Sequence, residues 1–289
     1  NVADQGSKPS KREWLQAKSH AVTHKHLDAL MADSVVDEIM IGETSMKYLS
    51  MATALERLQK EEISENILPA LNDNTDLVPA IYEGGLKIWE CTWDLLQFLA
   101  SSDIKFKGFR VLELGCGAGL PAIYTMLHGA NVILQDYNEE VINYITVPNV
   151  LLNTVDFSVL EKGNNSSYDR ALSELFANAS FYSGDWAEFE RLLSNNSKHI
   201  DESLKFDLIL TSETIYNTEC HEKLLSLITN SVKQNGKILL AAKSYYFGVG
   251  GGIHQFCELV KKKEKLDFKT VLTNEAGVKR EILELTLRR

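Results

Sequence analysis

A glycine-rich turn between two apolar stretches constrains the fold of this chain more than any other feature. Val111–Leu114 is largely apolar, and three glycines follow at every second position, Gly115, Gly117 and Gly119. The next stretch, from Leu120, has the apolar pattern of a helix. We therefore predict a strand, a tight turn and a helix N-terminus. A ligand can approach the backbone closely at such a turn, because glycine has no Cβ and the first helical N–H groups are unpaired.

The spacing of these glycines separates two kinds of nucleotide site. A dinucleotide site uses G-x-G-x-x-G, in which the helix N-terminus binds a pyrophosphate. Here the third glycine comes one residue earlier, and Glu113 stands two residues before the first glycine. A carboxylate there would repel a pyrophosphate, but it suits a cationic ligand. The stretch resembles the E/D-x-G-x-G-x-G loop of S-adenosylmethionine (SAM) methyltransferases, although a plain strand-to-helix turn would give the same pattern.

The composition indicates a globular domain and narrows the range of partners. The 289 residues are sufficient for one large α/β domain with a sizeable core. A net charge of −10 argues against a sequence-independent grip on nucleic acid, but it permits a basic protein as partner. No apolar run approaches the roughly 20 residues that span a membrane, so we expect no membrane association. The four cysteines form no C-x-x-C pair, and as free thiols they predict a reducing compartment.

The N-terminal part of the chain carries weaker signals. Residues 1 to about 20 are polar and rich in lysine, which predicts a flexible arm. His20, His24 and His26 cluster just after it, but no carboxylate or cysteine completes a metal-ligand set at a sensible spacing. We therefore expect solvated surface histidines. From about Ser45 to Leu68, apolar residues recur at every third position, which predicts a helix.

From Phe109 onward the chain alternates predicted strands with predicted helices. The expected strands are Arg110–Leu114, Asn131–Gln135, Ser180–Ser183, Phe206–Leu210, Lys237–Ala242, Asp267–Leu272 and Arg280–Leu287. This alternation predicts an α/β fold with a doubly wound, mostly parallel seven-stranded sheet, in which the last strand is antiparallel. The expected strand order is 3-2-1-4-5-7-6. We divide the chain into an N-terminal arm and helical extension, 1–75, and a main domain, 76–289.

Polar residues follow the ends of three predicted strands. Asp136 stands 17 positions after Gly119, where a carboxylate can accept both hydroxyls of a ribose. Asp185 and Trp186 suit an adenine, since the carboxylate can accept from the amine while the ring stacks. Ser212–Asn217 consists mainly of polar and aromatic residues. Such residues directly after a buried apolar strand are hard to explain by packing, which indicates a functional role. Because the carboxyl ends of parallel strands meet at one edge of a sheet, we expect these groups to form one ligand crevice.

Six motifs in order carry a more specific resemblance. They are Tyr82–Thr92, Leu114–Gly117, Gln135–Asn138, Gly184–Trp186, Leu210–Asn217 and Tyr245–Gly252. With them, residues 76 to 289 resemble the protein-histidine N-methyltransferases that act on a ribosomal large-subunit protein. The wider group includes protein-lysine methyltransferases, which share a Glu/Asp-x-x-Tyr motif, here Glu213 to Tyr216.

The resemblance implies SAM as the methyl donor and assigns residues to it. The residues implied to contact SAM are Ile88, Trp89, Glu90, Cys91, Thr92, Glu113, Gly115, Gly117, Gln135, Asp136, Tyr137, Gly184, Asp185, Trp186 and Ser212. The residues expected to bind the protein substrate are Tyr82, Tyr245, Tyr246 and Gly250. We expect a monomer that acts on a basic ribosomal protein in the cytoplasm and nucleus, without a metal ion.

Selective methylation of a histidine ring requires control of its tautomer. A neutral imidazole has one free lone pair, so methylating one nitrogen requires the proton to sit on the other. We hypothesise that Glu213, or Asn217 beside it, accepts that N–H, and that Tyr216 and Tyr246 flank the target ring. A lysine substrate is the main alternative, because Glu213 and the tyrosines could also receive an ammonium group.

Two other function classes fit the pattern less well. A non-catalytic SAM-fold protein that binds a partner would be expected to have a damaged cofactor site, but the glycines, Asp136, Asp185 and Trp186 are all present. A nicotinamide dehydrogenase is disfavoured by the early third glycine and by Glu113, which would face the phosphates.

Overall fold

The computed structural model describes residues 14–32, 34–60, 81–161, 164–197 and 199–288. Its centre is an eight-stranded sheet with the order β1-β6-β5-β4-β7-β8-β10-β9. The strands of this sheet are β1 (Lys18–His20), β4 (Arg110–Leu114), β5 (Asn131–Asp136), β6 (Ala179–Ser183), β7 (Phe206–Ser212), β8 (Val232–Lys243), β9 (Leu266–Asn274) and β10 (Arg280–Leu287). A separate hairpin is formed by β2 (Val36–Ile41) and β3 (Thr44–Leu49).

Helices cover both faces of the sheet. They are α1 (His24–Met31), α2 (Met51–Lys60), α3 (Glu90–Ser101), α4 (Leu120–Leu127), α5 (Glu139–Val141), α6 (Val147–Thr154), α7 (Asn165–Phe176), α8 (Trp186–Leu193), α9 (His221–Ser231) and α10 (Ile253–Lys263). Neighbouring strand residues belong to different cores: Val111 packs with α3 and α4, whereas Leu112 packs with α9 and α10. Burial on both faces explains why the strand sequences are nearly continuous apolar runs.

The predicted seven-strand arrangement is confirmed. Strands β6, β5, β4, β7 and β8 are parallel neighbours, and β10 lies antiparallel between β8 and β9. In order of the predicted strands this is 3-2-1-4-5-7-6. The C-terminal ends of β6, β5, β4 and β7 therefore lie side by side, and the predicted ligand groups lie at or directly after these ends.

The prediction of a flexible arm through residue 20 is wrong at its C-terminal end. Lys18–His20 forms β1, which pairs antiparallel with Ser183, Tyr182 and Phe181 of β6. Without it, β6 would present an unpaired edge of N–H and C=O groups. A polar strand of three residues has too little periodicity to be recognised in the sequence.

The helix predicted from Ser45 is also wrong in its first turn. Thr44–Leu49 is a strand, paired with Val36–Ile41 around Gly42, which has a left-handed φ of 60°. Met46 and the half-buried Tyr48 lie on one face of this strand, and Leu49 is buried on the other. Two buried residues three positions apart therefore do not require a helix. The helix begins at Met51. The end of the predicted helix and the division at residue 75 lie outside the described residues, so this division stays an interpretation.

The N-terminal histidines have protein partners. The Nε2 of His20 lies 2.7 Å from the hydroxyl of Ser183, and that of His24 lies 2.8 Å from a carboxylate oxygen of Asp169. Across the described ranges, no group of three or more His, Cys, Asp or Glu side chains is placed to bind a metal ion. Within the same ranges no helix has the length and apolar character to cross a membrane.

Candidate functional site

A pocket of about 830 Å³, including its open mouth, lies at the C-terminal ends of β4, β5, β6 and β7. The predicted site residues that line it are Ile88, Trp89, Thr92, Gly115, Gly117, Asp136, Tyr137, Gly184, Asp185, Trp186, Ser212, Glu213, Tyr216 and Asn217. The structure therefore brings together groups from five separate sequence motifs.

The glycine turn forms one wall of this pocket. Gly115 and Gly117 have left-handed φ angles of 60° and 49°. A Cβ on Gly115 would lie 2.5 Å from the Cγ2 of Thr214, and one on Gly117 would lie 3.0 Å from the carbonyl oxygen of Gly85. The glycines thus allow the Gly84–Gly85 turn and the loop after β7 to approach the backbone, which a larger side chain would prevent.

A distorted helix supports the turn from behind. The helical segment that begins at Glu139 contains a π-helical part at Ile142–Thr146, just before Pro148. The hydroxyl of Thr146 donates to the carbonyl of Gly117 at 2.6 Å, and the side-chain amide of Asn149 donates to the carbonyl of Ala118 at 2.9 Å. These two bonds satisfy backbone carbonyls of the turn and hold it in place.

Asp136 connects the turn to the end of β5. One carboxylate oxygen accepts the backbone N–H of Gly117 at 2.8 Å, and the other accepts that of Asn138 at 3.3 Å. Burial raises the pKa of this carboxyl to about 6, although the backbone hydrogen bonds act in the opposite direction. A carboxylate that lines the pocket at this point fits the hydroxyls of a ribose.

Glu113 does not line the pocket. Its carboxyl is buried beneath the turn and accepts the N–H of Ala122, in the first turn of α4, at 2.8 Å. Burial raises its pKa to about 8. At neutral pH the group therefore carries a proton for most of the time, and the expected electrostatic role toward a cationic ligand is corrected to a capping role.

The raised pKa of Glu113 predicts a pH-dependent stability. Because the folded state binds a proton that the unfolded state releases above pH 4.5, stability falls as the pH rises from about 4.5 to about 8. The slope from this one group approaches about 1.4 kcal/mol per pH unit. Glu113→Gln keeps an acceptor for Ala122 and should remove this slope. Urea unfolding between pH 5.5 and 7.5 measures it, with the exposed Glu43→Gln as control; equal slopes in Glu113→Gln and wild type would contradict the prediction.

At the expected adenine end, the side chain of Gln135 connects three other residues by hydrogen bonds. Its amide donates to the carbonyls of Asp136 and Gly184 at 2.7 and 2.8 Å, and its oxygen accepts from the indole N–H of Trp186 at 3.0 Å. Gln135 is fully buried and orients a pocket residue from behind. Its predicted contact with the cofactor is thus replaced, in this structure, by a positioning role.

Asp185 has two structural partners besides its place in the pocket. One oxygen caps α8 by accepting the N–H of Ala187 at 3.0 Å, and the other forms an ion pair with Lys223 at 2.7 Å. A carboxylate oxygen has two lone pairs, so each can still accept from an adenine amine. The sequence pattern predicted that contact, but it did not indicate the helix cap.

The other end of the pocket contains Glu213, which contacts Tyr246. Its backbone has a left-handed φ of 57°, and its side chain is buried. One carboxylate oxygen accepts from the hydroxyl of Tyr246 at 2.6 Å, and the other lies 3.7 Å from the Nζ of Lys243. The rings of Tyr216 and Tyr246 are 6.2 Å apart, edge to face. The predicted grouping of one carboxylate and two aromatic rings is therefore present.

Several other predicted residues lie outside the pocket lining. Tyr82 is 1 % exposed and its hydroxyl accepts the N–H of Leu86, so the predicted substrate contact is corrected to support of the Gly84–Gly85 turn. Cys91 is buried, and its N–H points to Glu213 at 3.4 Å. Glu90 forms an ion pair with Lys243 at 2.9 Å.

The predicted substrate loop after β8 is partly exposed. Tyr245 is 48 % exposed beside the more exposed Phe247, and the N–H of Gly250 donates to the carbonyl of Tyr246 at 3.1 Å. Asn217 does line the pocket, but its side-chain oxygen accepts the N–H of Glu219 at 3.0 Å. This leaves Glu213 better placed than Asn217 to accept a proton from a substrate.

The pocket is also lined by residues that the sequence prediction leaves unassigned, although all but Trp14, Ala118 and Cys220 lie within the six motifs. They are Trp14, Glu83, Gly84, Gly85, Lys87, Cys116, Ala118, Thr214 and Cys220. Glu83 accepts a hydrogen bond from the hydroxyl of Tyr216. The neighbouring Gly84–Gly85 pair could have indicated a close backbone approach to the glycine turn, because a Cβ on Gly85 would lie 3.2 Å from a carboxylate oxygen of Asp136.

Comparisons with known proteins agree with this geometry. Residues 87–246 match the family model of a methyltransferase domain. A histidine protein methyltransferase 1 homolog of Bos taurus is 37% identical over 94% of this chain and 73% of its own length. The chain belongs to the histidine protein methyltransferase family. A homolog of the same name from Dictyostelium discoideum is 45% identical to this member of the family, over 75% of the chain and 62% of the Dictyostelium protein.

Solved structures show the same fold. A structure described as a SAM-dependent methyltransferase from Streptococcus mutans gives a TM-score of 0.51 at 11% identity and covers 87% of this family member and 55% of that chain. The pocket residues fit SAM by their chemistry. Four lining residues are acidic and one, Lys87, is basic, while the others are small polar, apolar or aromatic residues and glycine backbone. An excess of carboxylates beside aromatic rings suits a cationic nucleoside.

Proposed function

We propose that this histidine protein methyltransferase acts on one ring nitrogen of a histidine in a basic protein of the large ribosomal subunit. The observation that carries the proposal is the buried carboxylate of Glu213 in the pocket lining, which accepts from Tyr246, whose ring contacts that of Tyr216. The ribosomal part of the proposal is supported by the resemblance of the sequence motifs. The net charge of −10 favours a basic partner.

In this reaction the protein mainly has to position the two reactants and to exclude water from the site. SAM supplies a methyl group that is already activated by its positively charged sulfur. The residues of the chain must then present a neutral imidazole whose free nitrogen faces that methyl group. Selecting one nitrogen requires an acceptor for the N–H on the other nitrogen.

Glu213 can provide this acceptor. Its carboxylate has four lone-pair positions, and the hydroxyl of Tyr246 and the N–H of Cys91 occupy two of them. Burial raises the pKa of Tyr246 far above its ordinary value, so this phenol remains a donor. At a remaining position the carboxylate can accept an imidazole N–H and stabilise the positive charge that the ring gains on methylation. The ring of Tyr246, which packs against that of Tyr216, adds apolar surface beside the carboxylate.

A lysine acceptor is the second candidate. Its ammonium group would have to lose a proton before transfer, and a buried carboxylate between aromatic rings could receive that group as well. The geometry of Glu213 fits both acceptors. The family membership favours histidine, since the relatives that are 45% and 37% identical to this chain are named for histidine methylation.

Mass spectrometry of the product distinguishes the two acceptors. We expect incubation with SAM and purified large-subunit proteins to add one methyl group to a histidine, located by fragmentation. A matched protein with that histidine replaced by alanine should remain unmodified. A methyl group located on lysine would overturn the proposal. Absence of SAM binding in calorimetry would instead favour a non-catalytic partner-binding protein.

The cellular setting is part of the same proposal. The described cysteines are free thiols, which is consistent with a reducing compartment. We place the protein in the cytoplasm and nucleus, where ribosomal proteins are made and assembled, and we expect it to act as a monomer that does not bind nucleic acid directly.

A further inference from the structure

The segment before β1 lies across the expected adenine end of the pocket. Trp14 lines the pocket beside Tyr137 and Asp185. The carbonyl of Leu15 accepts the N–H of Asp185 at 2.9 Å. The backbone of Leu15 also forms a hydrogen bond with the phenol of Tyr137. We call residues 14–17 the N-terminal strap.

Two side-chain contacts fix the indole of Trp14. Its ring meets that of Tyr137 edge to face, with 6.4 Å between the centroids. The Nζ of Lys223 lies 3.3 Å from the centroid of the Trp14 ring and also pairs with Asp185 at 2.7 Å. Lys223 is mostly buried, with 21% of its side chain exposed, so the cation–π contact is shielded from water. One lysine therefore connects the strap to a residue expected to bind adenine.

The close approach of the strap depends on Gly184. This residue has a left-handed φ of 116°, and a Cβ there would lie 2.5 Å from the carbonyl oxygen of Gln16 and 2.7 Å from the Cα of Ala17. Beyond the strap, β1 pairs with β6 and continues the same sheet. The strap is thus anchored on both sides of the site, and any larger residue at position 184 would displace it.

We propose that Trp14 is a cofactor-binding residue, and that the N-terminal strap forms the outer wall of the adenine subsite. The backbone hydrogen bonds of the strap fall on Tyr137 and Asp185, its cation–π partner Lys223 pairs with Asp185, and its close backbone contact falls on Gly184. These are the residues that the sequence assigns to adenine and ribose. The indole adds apolar and aromatic surface at the mouth of the pocket, where bound adenine would otherwise face water.

The inference predicts weaker SAM binding when the ring is removed. Trp14→Ala should raise the Kd for SAM and for S-adenosylhomocysteine about 10-fold, the effect expected of one aromatic wall with its cation–π partner. Trp14→Phe keeps an aromatic ring and should restore affinity to within about threefold. Isothermal calorimetry without any acceptor protein measures these values, so the result does not depend on the identity of the substrate.

Two controls separate binding from folding. Phe176→Ala removes another half-exposed aromatic ring, at the end of α7 and outside the pocket lining, and should leave the Kd unchanged. Hydrogen exchange at Lys18–His20 reports whether β1 stays paired, and we expect unchanged protection in Trp14→Ala. An unchanged Kd in Trp14→Ala would overturn the assignment. A raised Kd together with lost protection of β1 would also overturn it, because the ring would then only anchor the segment.

Discussion

Replacing Glu213 by alanine is expected to reduce methyl transfer by about 100- to 1,000-fold, while the affinity for SAM stays within about threefold. The loss corresponds to removing one preorganised polar group that orients the reacting ring and stabilises the charge it gains, an effect that is typically about 10²- to 10³-fold. The carboxylate is buried, accepts from Tyr246 and lies at the acceptor end of the pocket. Single-turnover rates at saturating SAM, with binding measured by calorimetry in parallel, check the prediction.

Two further variants show which property of Glu213 matters. Glu213→Gln keeps an oxygen that can accept the imidazole N–H but has no charge to stabilise the methylated ring. We therefore expect an intermediate loss of about 10- to 100-fold. Tyr246→Phe keeps the aromatic ring and removes only the hydroxyl that donates to Glu213, and we expect a loss of no more than about 10-fold.

The relative losses of turnover and of SAM affinity in these variants test the role of Glu213. Wild-type turnover in both Glu213 variants would rule out any role for this side chain in presenting the acceptor. A loss of SAM binding that matches the loss of turnover would move Glu213 from the acceptor end to the cofactor end. A Gln variant as impaired as the Ala variant would show that the charge, and not the hydrogen bond, is the essential property.

Much of the fold was predictable because its signals are local. A few adjacent residues are enough to recognise the glycine turn, each strand or helix, and Asp136 at the end of β5. The rule that carboxyl ends of parallel strands share one edge then brings the separate motifs together. For this reason Asp136, Trp186 and Ser212 were assigned to one pocket from sequence, and the structure places them there.

The remaining features depend on contacts between distant residues. The sequence predicts that the carboxylate of Glu113 faces a ligand, but in the structure it accepts the N–H of Ala122 and caps the first turn of α4. Tyr82 is predicted to contact the substrate, but tertiary packing buries its ring. Trp14 enters the pocket only because a three-residue strand pairs with β6, 163 positions later at His20 and Ser183. No local pattern specifies such pairings.

Gly251→Ala is expected to reduce turnover about as much as Glu213→Ala does. It changes no side chain of the acceptor end and acts by displacing the backbone. The N–H of Gly251 donates to the carbonyl of Tyr216 at 2.9 Å, and its carbonyl accepts the N–H of Tyr246 at 3.0 Å. Gly251 therefore connects the two segments that carry the rings around Glu213. A Cβ at this position would lie 2.2 Å from the carbonyl oxygen of Ile215 and 2.4 Å from that of Tyr216.

These backbone atoms have little freedom to move away. The carbonyl of Ile215 is also bonded to the Nε2 of the buried His221, at 2.8 Å. The loop after β8 must therefore separate from the loop after β7, which displaces Tyr246 from Glu213. We expect turnover to fall about 100-fold and the free energy of unfolding to fall by about 1–3 kcal/mol, as in other overpacked sites. The affinity for SAM should stay within about threefold.

Gly248→Ala is the matched control for this variant. It makes the same substitution in the same loop, at a left-handed φ of 83°, but nothing lies within 4 Å of the new Cβ. It should cost about 1–2 kcal/mol of stability from backbone strain and change turnover by less than about threefold. If both variants lose turnover equally, strain in a mobile loop is sufficient and the connection between Tyr216 and Tyr246 is not what matters. If only Gly251→Ala loses turnover at full SAM affinity, the spacing of the two aromatic segments sets the geometry in which the acceptor ring meets Glu213.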